Sequence, residues 1–599
     1  MDIMISSSLS RTFLISYLFT HSVEYTIYTS SSPKIVGTDG RDEKIMDMKL
    51  GLYENRINDR LNQWDEINML DRLRQKDLSL WNTRKGEVTD MLGWLSLGKS
   101  MSSQLDDILE FSDQMCNEGF TKAVLLGMGG SSMASCVFKR TLGSAEGYLD
   151  LIVLDSTHPD TIRNVTDTID ISNTLFITSS KSGETIETLS MFRYFWDEVQ
   201  QSVTDPGRHF IAITDPNTPL AKLANQRNFC KIFEANVDVG GRYSALSAFG
   251  LVPAALLGID IRLLLTRAFN DWDVAKKTEQ QGGLILGAAL GEFTIAGRDK
   301  ATLIMSDSLR SFSLWAEQLI AESTGKDGRG IVPVVREPWI ESEEYGQDRV
   351  FVGLSLEGEQ WNVAERLDEL AAADHPTIHM IMDDPISLGK AMFEWELAIA
   401  SAAIIMEIDP FDQPDVQATK ELAWDLVSNV KSRESRSHDI NTFYLDEPDE
   451  LKEAAEEWIR EAQPDDYISI QAYLSYDNDI RDGLRLLQGD ILSATGLATI
   501  LDQGPRFLHS TGQLYKGGPG TGLFLQLVEY MDEDIPIPDT DYSFGALTSA
   551  EALGDIIVLK DRGRRVLRIN LGREGSEGIA KLRDLLNVMF QTEVIPIMT

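Results

Sequence analysis

Residues 173–190 read NTLFITSSKSGETIETLS, an apolar run of strand length that breaks into a turn crowded with hydroxyls and then into a helical pattern. Ser179, Ser180, Ser182, Thr185 and Thr188 place more polar donors in this strand-to-helix turn than one helix cap needs. An earlier stretch, KAVLLGMGGSSM at Lys122–Met133, has the same order of apolar run, turn and helix start. A dinucleotide fingerprint needs a third glycine where Ser132 stands, and a Walker loop needs a Gly-Lys-Ser/Thr that is missing. What remains in both places is a set of bare backbone N–H groups and serine hydroxyls at a helix N-terminus, which suits an anion. Neutral donors of this kind fit a monophosphate that must enter and leave, whereas an arginine clamp would hold it more tightly. In a doubly wound sheet, loops at strand C-termini face one crevice, so these two loops can converge on one phosphate.

Outward from these loops, short β-branched runs alternate with amphipathic segments. LDLIVLD, RHFIAIT and CKIFEA continue a first series, and KATLIMSD, GIVPVV, RVFVGLSLE and TIHMIMDD form a second beginning near Lys300. Such alternation predicts the α/β class, with parallel sheets covered by helices on both faces. DYISIQAYLS, LATILD, TGLFLQLVEY, DIIVLK and RVLRINLG read as further strands; periodicity does not decide whether they form a separate domain or complete the second sheet, and we take the latter as the expectation. The expected organisation is an N-terminal extension at 1–45, a helical lead-in at 46–110, a first α/β domain at 111–285 carrying the phosphate loops, and a second at 286–599.

With 599 residues, the chain has room for several cores. Its 55 basic and 94 acidic residues give a formal charge of −39, which argues against nucleic acid or anionic membrane as a partner. The acidic residues are spread along the whole chain, as on a solvated surface. Cys116, Cys136 and Cys230 lie far apart without a CxxC pair, so neither a disulfide framework nor a zinc site is indicated, and a reducing cytoplasm fits. No apolar run approaches the roughly 18 residues of a membrane span.

The second loop, SKSGETIET, matches position by position the Ser-Lys-Thr/Ser-x-x-Thr-x-Glu-Thr pattern of the sugar isomerase (SIS) domains, and within them resembles the glucose-6-phosphate isomerase family. Further matches are GGRYSALSAFGL (Gly240–Leu251), ESTGKDGRG (Glu322–Gly330), DPFDQPDVQATK (Asp409–Lys420) and GPRFLHSTGQLYKGGPGTG (Gly504–Gly520). The likeness extends to the isomerase half of transaldolase/isomerase fusion proteins, although too little chain precedes residue 50 for a transaldolase barrel. The resemblance implies two doubly wound parallel-sheet SIS-type domains with flanking helices, a hexose 6-phosphate as substrate, a homodimer, and no metal or organic cofactor.

It also implies roles. Interconverting an aldose and a ketose moves a proton between C1 and C2 through an enediolate, and a carboxylate can serve both carbons. Glu322 is the expected base. Arg242 would stabilise the developing oxyanion. Lys420, seven residues after Gln413, would assist ring opening together with His509, whose ordinary pKa lies near neutrality. Gly130, Ser131, Ser180, Lys181, Ser182, Thr185 and Gln413 would bind the substrate. In single-function isomerases the His-Ser-x-Gly-Gln motif lies between the Glu and Lys segments, whereas here it follows Lys420, which suggests rearranged connectivity. His375 and His379 read as structural. The phosphate loops alone leave open an aminosugar- or mannose-phosphate isomerase, or a sensor that binds without turnover.

Overall fold

The computed structural model describes residues 46–81, 88–415, 417–428, 440–475 and 477–592, with side chains left out at 417–421 and 592. The predicted extension at 1–45 lies outside the described residues. Strand β1 (Met46–Lys49) precedes a run of helices, including Glu54–Glu66 and Leu105–Asn117. The first sheet then contains β2 (Lys122–Leu126), β3 (Asp150–Leu154), β4 (Thr174–Ser179), β5 (Phe210–Thr214) and β6 (Lys231–Glu234), in the order β3-β2-β4-β5-β6 and parallel throughout. The first strand of this series lies inside the sheet and its order reverses beside β2, so the two serine-rich loops, which follow the neighbours β2 and β4, open on the same side.

Helices Ile261–Val274 and Gly282–Ile295 lead into the second sheet, which contains β7 (Lys300–Met305), β8 (Val332–Val335), β9 (Arg349–Leu356) and β10 (Thr377–Met382). Its order is β1-β10-β9-β7-β8, with β1 antiparallel on the edge. These strands are buried almost end to end, which is why they read as continuous apolar runs rather than as alternation.

The C-terminal region corrects the expectation that it completes the second sheet. Strands β11 (Phe443–Tyr444), β12 (Tyr467–Tyr473), β13 (Ala498–Gln503), β14 (Gly522–Val528) and β15 (Arg565–Asn570) form a third parallel sheet, in the order β11-β15-β14-β12-β13. Edge strands β8 and β13 lie side by side without a ladder between them. Strand β8 has only four residues and one is Pro333, which has no N–H to donate. The seam is closed instead by Glu337, which accepts the Thr499 N–H at 2.8 Å, and by an apolar cluster joining Val332 and Val334 to Tyr467, Phe507 and Tyr515.

A second correction concerns DIIVLK, which lies inside helix Phe544–Asp561 rather than in a strand. This helix is buried around nearly its whole circumference, because one side packs on Val124, Phe176 and their neighbours in the first domain while other positions reach the third sheet. A helix apolar on every side shows no 3.6-residue period, so a short window of it cannot be told from a strand. His375 and His379 fit their structural reading: His375 Nε2 lies 3.0 Å from the Ser342 carbonyl and His379 Nε2 lies 2.7 Å from the Ser355 hydroxyl.

The core of helix Leu388–Met406 holds a carboxyl with an energetic consequence. Glu396 is fully buried, neither carboxyl oxygen has a hydrogen-bond partner among the described residues, and burial holds the group well above its ordinary value of 4.5. A raised folded value contributes stability that is fully present below the unfolded value near 4.5 and is lost as pH rises through the folded value. Glu396→Gln removes this pH-dependent loss, since the amide cannot ionise. Thermal unfolding is expected to show Glu396→Gln more stable than the parent by about 1–3 kcal/mol at pH 8, and close to it at pH 4.5. Equal differences at both pH values would show that ionisation of Glu396 is not what costs stability.

Candidate functional site

The first loop leaves β2 through Gly127 and Met128 into a single turn at Gly129–Ser131, from which helix Met133–Leu142 starts. Gly129 has φ of +53°, and a Cβ on Gly130 would lie 2.2 Å from the Gly241 carbonyl oxygen. Glycine is therefore required where this loop presses against the loop that carries Arg242. Ser131 is half-buried, and its hydroxyl has no hydrogen-bond partner among the described residues; its carbonyl accepts from Ser179 Oγ at 2.9 Å, which ties the two loops together.

In the second loop Ser180 Oγ lies 2.9 Å from Thr185 Oγ1 and accepts the Gly183 N–H at 3.1 Å. Ser182 is exposed, and its hydroxyl accepts the Glu184 N–H at 3.3 Å. Helix Ile186–Ser202 starts directly after Thr185, which makes no side-chain cap, so the helix N-terminus is left open to an anion. The Lys181 ammonium sits 2.6 Å from Asp215 and also donates to the Asn236 and Val237 carbonyls, which anchors the loop to the end of β5.

Arg242 lies in the turn Gly241–Tyr243 and is 2% exposed. Its Nε donates to Ser323 Oγ at 2.8 Å, and Nη2 donates to the Pro410 carbonyl and, at 3.0 Å, to that of Asp412. The remaining nitrogen, Nη1, has no hydrogen-bond partner among the described residues and lies 3.8 Å from Glu322 Oε2. Glu322 is buried on the last turn of helix Phe312–Thr324, where Gln318, one turn earlier, donates to its Oε2 at 3.1 Å. Lys326 of the same ESTGK motif is also buried and donates to the carbonyls of Asp409 and Asp412, at 2.5 Å and 2.7 Å. Burial, with the Arg242 charge close by, brings the Lys326 ammonium down to about 8.

Two cations thus grip the backbone of 409–412. Gln413 follows directly and is exposed. Lys420 lies on the first turn of helix Gln417–Ser428, with its side chain outside those described.

His509 arrives from the third domain. It ends the turn Arg506–His509 after β13, its carbonyl accepts from Gln318 Nε2 at 2.9 Å, and its Nε2 lies 2.6 Å from Glu187 Oε1. Glu187 belongs to the SKSGETIET stretch itself. Behind it, Glu551 of helix Phe544–Asp561 is buried, hydrogen-bonded to Glu187, and held well above the usual carboxyl range by burial and then by the Glu187 charge. Gln513, four residues after His509, accepts the Asp415 N–H at 3.1 Å and donates to the Gly325 carbonyl at 2.9 Å. The changed motif order is resolved in space: the histidine motif follows Lys420 in the chain, yet it packs between the Glu322 helix, the Gly129 turn and the 409–415 segment.

The structure therefore brings Gly130, Ser131, Arg242, Glu322 and His509 to one place, with the Ser180–Thr185 loop joined to it through Ser179 and Glu187. Sequence reasoning did not single out Gln318, Glu187 or Glu551. Gln318 was legible as the i−4 neighbour of Glu322 on a helix. Glu187 stood inside the quoted motif. Glu551 had no local signal, because only the docking of the third domain carries it there.

The phosphoglucose isomerase family model matches residues 105–331, which include the first sheet, both loops, Arg242 and Glu322. A glucose-6-phosphate isomerase of Rubrobacter xylanophilus is 27% identical over 389 residues, 56% of this chain and 89% of that protein. One from Cyanothece sp. is 36% identical over 218 residues, 35% of this chain and 40% of that one. Among solved structures, a glucose-6-phosphate isomerase of Chlamydia trachomatis superposes with a TM-score of 0.56 at 17% identity, covering 64% of this chain and 88% of that one, a likeness of fold. A hypothetical protein of Thermus thermophilus superposes with a TM-score of 0.55 at 23% identity, over 63% of this chain and 99% of that one. Over the stretch that carries the first sheet, both loops, Arg242 and Glu322, the chain is thus similar to phosphoglucose isomerases.

Proposed function

We propose that this protein interconverts glucose 6-phosphate and fructose 6-phosphate by moving a proton between C1 and C2 through an enediolate. The observation that carries this reading is the unsatisfied Nη1 of Arg242, buried 3.8 Å from the Glu322 carboxylate. A buried donor that makes no hydrogen bond is costly, and one beside the base can stabilise the negative charge that a substrate oxygen develops there.

In this reading the Ser131 hydroxyl, the Ser180–Thr185 turn with Ser182, and the open N-terminus of helix Ile186–Ser202 hold the phosphate. Glu322 takes the proton from one carbon and returns it to its neighbour, while Gln318 orients its carboxylate. His509, with Nε2–H donated to Glu187, keeps Nδ1 as a base for the ring oxygens; a neutral Glu551 leaves Glu187 the charged member of the pair. Gln413 and Lys420 keep their expected parts in contacting the substrate and assisting ring opening. In the homodimer that the resemblance implies, each protomer would carry a site in which Glu322 and His509 come from one chain. No helix among the described residues is long and apolar enough to cross a membrane, and we place the reaction in the cytoplasm.

The test is a coupled assay on purified protein, supplying fructose 6-phosphate and following glucose 6-phosphate with a dehydrogenase reporter. Turnover is expected, and it should persist in excess chelator because the proton shuttle needs only side chains. Binding of the sugar phosphate without turnover, with activity on a mannose or aminosugar phosphate instead, would replace this substrate assignment.

A further inference from the structure

Beside the seam between the second and third sheets, at the carboxyl ends of β8, β12 and β13, lies a cavity of about 90 Å³ that none of the catalytic reasoning uses. Arg336, Arg481, Arg485 and Arg506 line it. A second cavity, of about 400 Å³, shares Arg336 and Arg485 and adds Arg310. In a chain with a formal charge of −39, five arginines gathered on two adjoining cavities demand a reason.

Neutralisation by nearby acids is only partial. Arg310 pairs with Asp307 at 2.6 Å, Arg481 with Asp482 at 3.2 Å and Arg506 with Asp155 at 3.2 Å, whereas Arg485 has neither an ion pair nor a hydrogen bond among the described residues. The carboxyls lining the first cavity are Glu317 and Asp502. Asp502 is already occupied by donors from Ser469, Thr511 and Tyr515. Burial, reinforced by Asp502 and only partly opposed by the Arg506 and Arg336 charges, holds Glu317 well above the usual carboxylate range. The other walls include Leu314, Val335, Leu474 and Leu484. An apolar wall with a few convergent charged groups, at the carboxyl ends of parallel strands, is the common form of a small-ligand site. Guanidinium forks match phosphate oxygens in geometry and charge.

We propose that this cavity is a second anion site, distinct from the substrate site, which binds the phosphate of a small organic phosphate through Arg336, Arg481, Arg485 and Arg506. Its position ties it to the reaction centre. Arg506 and Ser510 belong to the segment that presents His509, and Glu317 precedes Gln318, which holds both Glu322 and the His509 carbonyl.

The test uses the full chain and inorganic pyrophosphate as probe, in calorimetric titrations at constant ionic strength. Two sites per chain are expected. Arg481→Gln/Arg485→Gln, on the outer face of helix Asn478–Thr495, should weaken one site at least tenfold and leave fructose 6-phosphate turnover intact. Ser182→Ala/Thr185→Val, in the substrate loop, should weaken the other. Arg485→Glu alone gives a single-site check if the double variant unfolds early, and Lys277→Gln/Lys581→Gln controls for net charge. A single site in the parent, lost only in the Ser182/Thr185 variant, would overturn the proposal; so would undiminished binding in both arginine variants, or equal weakening in the lysine control.

Discussion

Glu322→Gln is expected to lower turnover of fructose 6-phosphate by about 10²–10⁴-fold, the range that a positioned general base contributes. The amide has nearly the same shape and can still accept from Gln318, so the local packing around the last turn of helix Phe312–Thr324 should persist. Arg242 also keeps its bonds to Ser323, Pro410 and Asp412, and is not left as a stranded charge. What is lost is the ability to accept a proton from carbon. KM should therefore stay within a few-fold of the parent, because the phosphate loops are untouched. A variant that keeps more than a tenth of the parental kcat would remove Glu322 from the mechanism and direct attention to the His509–Glu187 pair.

Arg242→Lys is expected to lower kcat by about 10²–10³-fold, comparable to the loss of one preorganised oxyanion donor. The guanidinium has two tasks that one ammonium cannot share. Nε and Nη2 hold the Ser323 hydroxyl and the 409–412 backbone, while Nη1 is left facing Glu322. Lysine offers a compact charge without the fork. Lys326 still holds the carbonyls of Asp409 and Asp412, so the segment should stay near its place and the unfolding midpoint should fall only modestly. A loss confined to KM, with kcat unchanged, would mean that Arg242 binds substrate uniformly and does not act on the transition state.

Most of the strand framework was legible because each buried strand is a short β-branched or aromatic run between turn residues. That signal failed where it is physically weakest. DIIVLK looks the same whether a strand or an all-round buried helix contains it, and Met46–Lys49 and Phe443–Tyr444 are too short to stand out as the edge strands they are. The third sheet was recognisable as strands but not as a sheet, since pairing depends on which edges meet and Pro333 blocks one of them.

The site divides in the same way. The sequence by itself determined the chemistry available: glycines where backbones must touch, hydroxyls at two helix starts, an arginine between glycines, and a glutamate in ESTGK. These are local, because a turn, a cap or a glycine contact is set by neighbours in the chain. Only the tertiary structure decided which groups meet. His509 reaches Glu187 across 322 positions, Gln318 is shared between Glu322 and the His509 carbonyl, and Lys181 turns to Asp215. Those meetings follow from the burial of the third domain against both others, which depends on complementary apolar surfaces far apart in the chain, and no local pattern encodes them.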